Sequence, residues 1–434
     1  MKSVWNNDIK RLKSDSLCGD EKTNVLIIGG GMCGLLCAYM LKNAGVDCIL
    51  VEQDKILSGV TNRTTAKITF QHGLIYDKIL SRYGSEKASL YYQSQKKALE
   101  KYKELAIKDD DFEECASLVY SLNNNAIIEK ELEALRKIGC SAKYTKNTEL
   151  PFDIAGAVKV DNQARFNPLK FACRLADGLK IYENTKITEL KPNAAVTMRG
   201  TIFAKNIIIA THFPIINKHG SYFLKMYQDR SYVIAYKNAG DFNDMYVDEA
   251  SGGMSFRSYG KLSLIGGGGH RTGTKSTGWT DIEEFAKKYY PDADEVCRWA
   301  TQDCMTLDGI PYIGLYSKST SALYAATGFN KWGMTSSMVA ALLLTDIICG
   351  RKSEYTSLYS PSRTLLHPQL AVNMFEAAKG LLTPKTPRCP HLGCALKYNK
   401  YEHSWDCSCH GSRFDESGKV LNNPATDDKK QIVK

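Results

Sequence analysis

The sequence has no long hydrophobic run. Its longest apolar stretch, Val339 to Cys349, is interrupted by Thr345 and Asp346 and is too short to span a bilayer. Residues 1–22 lack the apolar core and cleavage site of a secretory signal. Repeats and low-complexity tracts are missing too. The formal charge is +10, yet no basic block exists. Lys96 to Lys108 mixes Lys with Glu on one helical face, which is a solvated surface rather than a nucleic-acid footprint. A disulfide framework is also lacking: of 14 cysteines, ten are irregularly spaced, and Cys33, Cys37, Cys48, Cys173 and Cys349 sit in apolar patterns. Such cysteines behave as small buried hydrophobes and stay reduced in the cytosol. These absences lead to the expectation of a soluble cytoplasmic protein with no nucleic-acid partner and no membrane span. What is present, 434 residues with 43% hydrophobic content and five tryptophans, suits two or three packed domains.

Near the N-terminus, Thr23 to Ile28 is an apolar, β-prone run, followed by Gly29-Gly30-Gly31-Met32-Cys33-Gly34. The spacing is G-x-G-x-x-G. Leu35 to Asn43 reads as a helix ended by Gly45, and Val46 to Val51 as a second strand closed by Glu52. In such a strand–turn–helix–strand unit, Gly29 and Gly31 allow a tight turn and the close approach of a pyrophosphate, and Gly34 allows helix and strand to pack. The helix N-terminus offers its free N–H groups to the phosphates, and Glu52 would accept hydrogen bonds from a ribose hydroxyl.

At the other end, Cys389-Pro390-His391 is separated by fifteen residues from Cys407-Ser408-Cys409-His410. Each loop pairs a thiolate with an imidazole. A [2Fe–2S] centre with two cysteines on one iron and two histidines on the other needs that set. Structural zinc is the alternative, although zinc fingers more often group Cys with Cys and His with His. His403 lies between the loops but fits no ligand spacing.

His391-Leu392-Gly393-Cys394, Cys407 to Asp415, Gly418-Lys419-Val420 and Asn423-Pro424-Ala425 resemble the Rieske family. The resemblance implies Cys389, His391, Cys407 and His410 as ligands, and a disulfide between Cys394 and Cys409. It also implies that Ser412 donates a hydrogen bond that tunes the cluster, whereas Phe414 stands where high-potential members carry tyrosine. The chain departs from the family in having almost nothing strand-like before the first ligand loop. A unit this small buries little core and must lean on the rest of the protein.

Asn206 to His212, Thr306 to Gly314 and Ala326 to Thr335, with the N-terminal unit, resemble the D-amino-acid oxidase and glycine oxidase superfamily over most of residues 23–350. The resemblance implies FAD, with Gly328 and Gly333 against the flavin and a helix following from Thr335 to Cys349. It passes the Thr61–Lys67 segment by the flavin ring, making Thr65 a contact and Lys67 the candidate catalytic charge. It also makes the β-rich stretch 219–275, with strands expected at 231–236, 253–258 and 261–265, the sheet over the flavin's reactive face. Asp303 occupies the place where amino-acid oxidases often carry a carboxylate-gripping arginine. An acid there disfavours amino-acid substrates and permits a cationic or neutral one, unless Arg257 or Arg271 supplies the charge. His72, His212 and His270 read as packing or turn residues.

The expected fold is α/β: a Rossmann-like FAD-binding domain with an inserted β-rich substrate domain, plus a small β cluster-binding unit. The boundaries are an extension over 1–22, an oxidoreductase domain over 23–350, a connector over 351–387 and the cluster unit over 388–434. Within the oxidoreductase domain, 23–75, 200–215 and 300–350 bind FAD, and 76–199 and 216–299 are inserted. The expected function is an FAD-dependent oxidoreductase that couples two-electron chemistry on a small, amine-type molecule to one-electron transfer through a Rieske [2Fe–2S] cluster, with a redox-protein partner there. The alternative is an electron carrier or redox sensor with no small-molecule substrate.

Overall fold

Val25, Leu26, Ile27 and Ile28 are all buried, because the strand Glu21–Ile28 lies inside a sheet covered on both faces. It pairs in parallel with Gly200–Ile209 on one side and Cys48–Val51 on the other. Tyr312–Leu315 and Leu323–Thr327 extend the sheet at one edge, and Ile181–Tyr182 at the other. The helices Met32–Asn43 and Gly333–Ile348 pack together on one face within the main core. The first begins three residues before the expected Leu35, so Gly34 lies in its first turn. A Cβ on Gly34 would sit 1.9 Å from the Gly29 carbonyl oxygen, which is the close approach the third motif glycine permits. The computed structural model describes residues 2–6, 14–216 and 219–429; residue 1, residues 7–13 of the expected extension, 217–218 of the inserted region and 430–434 of the expected cluster unit lie outside the described residues.

A second, mostly antiparallel sheet of nine strands stands beside the first. Its edge pair is Asp294–Thr306 with Met226–Lys237, followed by Leu262–Arg271, Ser255–Tyr259 and Met245–Asp248. Two of these strands outrun the apolar stretches expected at 231–236 and 261–265: ladder hydrogen bonds continue through polar residues such as Asp229 and Arg271, which pair with each other across the sheet. The helix Tyr76–Leu105 carries the Lys/Glu face near its C-terminal end, and Gly84, at φ +82°, breaks it internally. The helix Asn125–Lys137 is preceded by Asn124 in extended backbone conformation.

The last unit is a four-stranded antiparallel sheet of Leu396–Asn399, Ser404–Cys407, Arg413–Asp415 and Val420–Asn422. In place of upstream strands, the helix Pro368–Leu382 covers it. Gly380 of that helix abuts the cysteine loops so closely that a Cβ would lie 2.5 Å from the Cys409 sulfur. The unit is fastened to the large sheet by a buried ion-pair network: Glu402 accepts from Arg230 Nε at 2.8 Å and from Arg413 at 3.0 Å, and Arg413 also reaches Asp406 at 2.9 Å. Among the described residues, no helix is long and apolar enough to cross a membrane.

Candidate functional site

A cavity of about 1950 Å³ opens between the two large sheets and is walled on a third side by the C-terminal unit. At one end lies the glycine turn. Gly29 adopts φ +113°, and a Cβ there would press on the Ala210 backbone at 3.0 Å. Gly31 is different: a Cβ would meet only the Thr61 hydroxyl, at 3.5 Å, so the space in front of it belongs to the cavity. Gly31, Met32 and Cys33, at the start of the helix, line the cavity, so a ligand can approach this backbone closely, a fit for a dinucleotide pyrophosphate. Glu52 also lines the cavity. Its Oε2 accepts from the Gly30 N–H at 2.7 Å and its Oε1 from the Asp54 N–H at 3.0 Å, so the carboxylate braces the turn, and burial raises its pKa.

Further along the wall, Lys67 Nζ lies 3.2 Å from the Thr65 hydroxyl. Burial, reinforced by the Arg257 guanidinium, pushes this ammonium down to about 7. Gly328, at φ +71°, is wedged so that a Cβ would lie 2.3 Å from Thr306 Cγ2, and Gly333 opens the following helix; both line the cavity. The floor contributed by the large sheet holds two carboxylates directly opposite one another, Asp229 and Asp303. Lys331 Nζ lies 3.5 Å from Asp229. Burial raises Asp303 to about 6, with Lys331 opposing and Asp229 adding to the shift.

Neither arginine considered as a carboxylate grip reaches this floor. Arg257 Nη1 donates to the Thr65 and Ala66 carbonyls at 2.8 Å each. Arg271 donates to the Ser408 and Cys409 carbonyls at 2.9 Å each. Both hold backbone. His72 is packed, stacked on Trp332 with ring centroids 5.0 Å apart, bonded to Tyr91 and Thr335, and pushed down to about 3 by burial. His270 stacks on Tyr232. His212 lines the cavity and is held down at about 4 by burial.

In the C-terminal unit, the two cysteine–histidine loops converge. Cys389 and Cys407 are both buried, and the His391 and His410 rings stand perpendicular with centroids 5.0 Å apart. The loops are tied by Cys389 N–H to Cys394 O and Cys407 N–H to Ser412 O, at 2.8 and 2.9 Å. The buried Nδ1 of His410 has no hydrogen-bond partner. Two thiols, two imidazoles and an unsatisfied buried nitrogen suit a centre with mixed sulfur and nitrogen ligation. Cys394, Cys407 and Cys409 also bring their sulfurs within 4.8 Å of one another, but that trio has no imidazole. Cys394 and Cys409 are free cysteines here. Ser412 is fully buried between the loops, and its hydroxyl accepts the Ala425 N–H at 3.0 Å. Phe414 is fully buried in the unit's core, and His403 is exposed beside Tyr398.

Sequence reasoning missed the residues joining the two regions: Gln228 and Gln302 on the large sheet, and the pairing of Arg230 with Glu402. Nothing in their sequence context marks them: Gln228 is followed by Asp229 and Arg230, and Gln302 lies between Thr301 and Asp303.

The family model for FAD-dependent oxidoreductases matches residues 24–347, and that for the Rieske [2Fe–2S] domain matches residues 362–433. The Rieske 2Fe-2S iron-sulfur protein YhfW of Bacillus subtilis (strain 168) is 33% identical, with 99% of this chain and 97% of that protein covered. Gamma-glutamylputrescine oxidoreductase of Escherichia coli (strain K12) is 22% identical over 77% of this chain and 86% of that protein. Among solved structures, glycine oxidase from Geobacillus kaustophilus superposes with a TM-score of 0.66 at 19% identity, covering 80% of this chain and all of that one.

Proposed function

The chain belongs to the FAD-dependent oxidoreductase family and carries a Rieske [2Fe–2S] domain, and from that premise we propose that it oxidises a small amine-type substrate at the flavin and passes the electrons singly through the cluster to a one-electron acceptor. The observation that carries this reading is the shared cavity. Its walls come from the glycine turn, from the large sheet and from residues 419–423 of the Rieske unit, so the unit that carries the cluster closes one side of the flavin cavity.

When bound, FAD supplies two-electron chemistry and the cluster one-electron chemistry. The protein's own residues do the rest. Gly29, Gly31 and Gly34 shape the pyrophosphate seat, while Glu52 braces the turn and faces the ribose. Thr65, Gly328 and Gly333 border the flavin ring. Lys67 holds a proton at Nζ that its depressed pKa lets it release near neutrality. Asp229 and Asp303 favour a positively charged amine over a carboxylate, and the resemblance to a gamma-glutamylputrescine oxidoreductase supports the same class. Cys389, His391, Cys407 and His410 ligate the cluster, and Cys394 and Cys409 close into a disulfide between its loops. The scattered cysteines favour a cytoplasmic setting for the enzyme.

An anaerobic screen tests this. Amines are added to the purified holoprotein while flavin absorbance and the cluster's paramagnetic signal are followed. Bleaching by an amine, then cluster reduction, is expected. Bleaching only with a reduced redox protein, and with no amine, would replace the enzyme by an electron carrier.

A further inference from the structure

The two histidine loops are not equivalent. His391 is partly exposed, whereas His410 is buried, edge-on to the ring of Phe223 at 5.9 Å. The second ligand loop therefore faces into the protein, against the large sheet.

Gln228 meets it there. Its Nε2 donates to the His410 carbonyl and to the Asn423 carbonyl, at 2.8 Å each. Its Oε1 accepts from Gln302 Nε2 at 2.7 Å, and that nitrogen also donates to the Gly411 carbonyl at 2.8 Å. Both glutamines are 1% exposed. Gly411 sits at φ +87°, and a Cβ on it would lie 2.5 Å from Gln228 Cβ, so the loop backbone rests directly on this side chain. On either side of it in the strand, Tyr227 and Asp229 line the cavity, and so does Asn423. One side chain thus touches a ligand-loop carbonyl and one residue of the cavity wall.

A buried amide is costly unless its polar atoms are satisfied, and an apolar residue would fill this strand position more cheaply. Gross docking does not need it: Arg271 already holds the Ser408 and Cys409 carbonyls, and Arg230 holds Glu402. What Gln228 adds is fixed spacing between His410 and the cavity.

We propose that Gln228, braced by Gln302, is a positioning residue that sets the distance between the flavin site and the His410 edge of the cluster site, and that electrons cross between the cofactors at this junction. The proposal rests on the reading that the two cofactors exchange electrons. The balance is simple. Reduced flavin, FADH⁻, returns to FAD by releasing two electrons and one proton. Each electron in turn reduces a diferric cluster to its one-electron-reduced form. A one-electron acceptor, ferricyanide in the assay, must reoxidise the cluster before the second electron follows. Tunnelling falls exponentially with distance, so loosening this contact slows the transfer without changing either cofactor.

The test is flash photoreduction of the holoprotein with 5-deazariboflavin, following redistribution of electrons between flavin and cluster absorbance. Gln228→Leu removes the clamp at constant apolar bulk. Gln302→Leu removes only the brace and keeps Gln228. The expected result is a transfer rate severalfold lower in Gln228→Leu, because tunnelling decays exponentially with distance, and a smaller loss in Gln302→Leu. Flavin content, cluster potential and paramagnetic signal should stay at wild-type values, which separates a spacing effect from damage. An unchanged rate in Gln228→Leu overturns the proposal. If that variant loses its cluster, an unchanged rate in Gln302→Leu overturns it instead. Wild-type protein with no transfer at all refutes the functional reading itself, a different outcome from a wild-type rate that the variants fail to alter.

Discussion

Glu402 is 2% exposed and holds two guanidiniums, those of Arg230 on the large sheet and Arg413 in the Rieske unit. Glu402→Gln keeps the shape and removes the charge. Arg413 retains Asp406, but Arg230, 4% exposed, is left with no carboxylate. Breaking one partner out of a buried pair costs about 3–5 kcal/mol. The pKa gives an independent magnitude: the two arginines hold Glu402 at about 2, against an ordinary 4.5, despite its burial. That difference corresponds to about 3 kcal/mol of stability at neutral pH. The sign follows from a depressed folded-state pKa: the contribution is complete above pH 4.5 and is lost as pH falls through about 2. Urea unfolding should be followed by visible circular dichroism for the cluster and by flavin fluorescence for the FAD site. In Glu402→Gln the cluster signal should disappear at lower urea than the flavin signal, with a loss of about 3 kcal/mol at pH 7. The double variant Arg230→Met/Glu402→Leu should recover most of it, because two apolar side chains replace the whole pair. A single-variant loss under about 1 kcal/mol, the usual worth of an exposed pair, would refute the reasoning.

Gly31→Val should fold and lose FAD, because its side chain enters only the cavity, whereas Gly34→Val should lose the fold through its collision with the Gly29 carbonyl; flavin content and thermal melts separate the two, and a flavin-replete Gly31→Val would show the turn is misread. The cluster potential should lie below the top of the Rieske range of roughly −150 to +300 mV, fall in Ser412→Ala and rise in Phe414→Tyr, since hydrogen bonds to cluster sulfurs favour the reduced form; redox titration with paramagnetic resonance checks this, and no response would clear both side chains of control. Asp303→Asn should raise KM for an amine substrate about tenfold or more, given a cost of about 2–5 kcal/mol for losing one partner of a buried charge pair. In the wild type, affinity should rise as pH rises through about 6, where Asp303 ionises, and the variant should lose that dependence; a pH profile unchanged in Asp303→Asn would exclude the role.

Legibility followed sequence distance. The glycine turn and the ligand loops were readable because spacing along a few residues fixes their geometry; the strand before the turn and the helix after it lie where periodicity placed them. Boundaries drifted where tertiary pairing prolonged an element, as in Met226–Lys237, or where a single glycine bent one, as at Gly84. Arg257 and Arg271 show the limit for charges: a sequence gives the guanidinium but not its direction, and both point at carbonyls. The junction was illegible for the same reason. Gln228 and the His410 carbonyl are 182 residues apart, and nothing in the spacing of either announces the other.

The third wall of the cavity bears on how the protein matures. The pyrophosphate seat at 29–34 is synthesised long before residues 419–428, which close that side. The sheet behind that turn is complete only when Gly200–Ile209 and Leu323–Thr327 have been made, and the C-terminal unit comes last. An FAD bound in the cavity is enclosed on that side by the docked Rieske unit, so the unit serves as a closure as well as a carrier of the cluster.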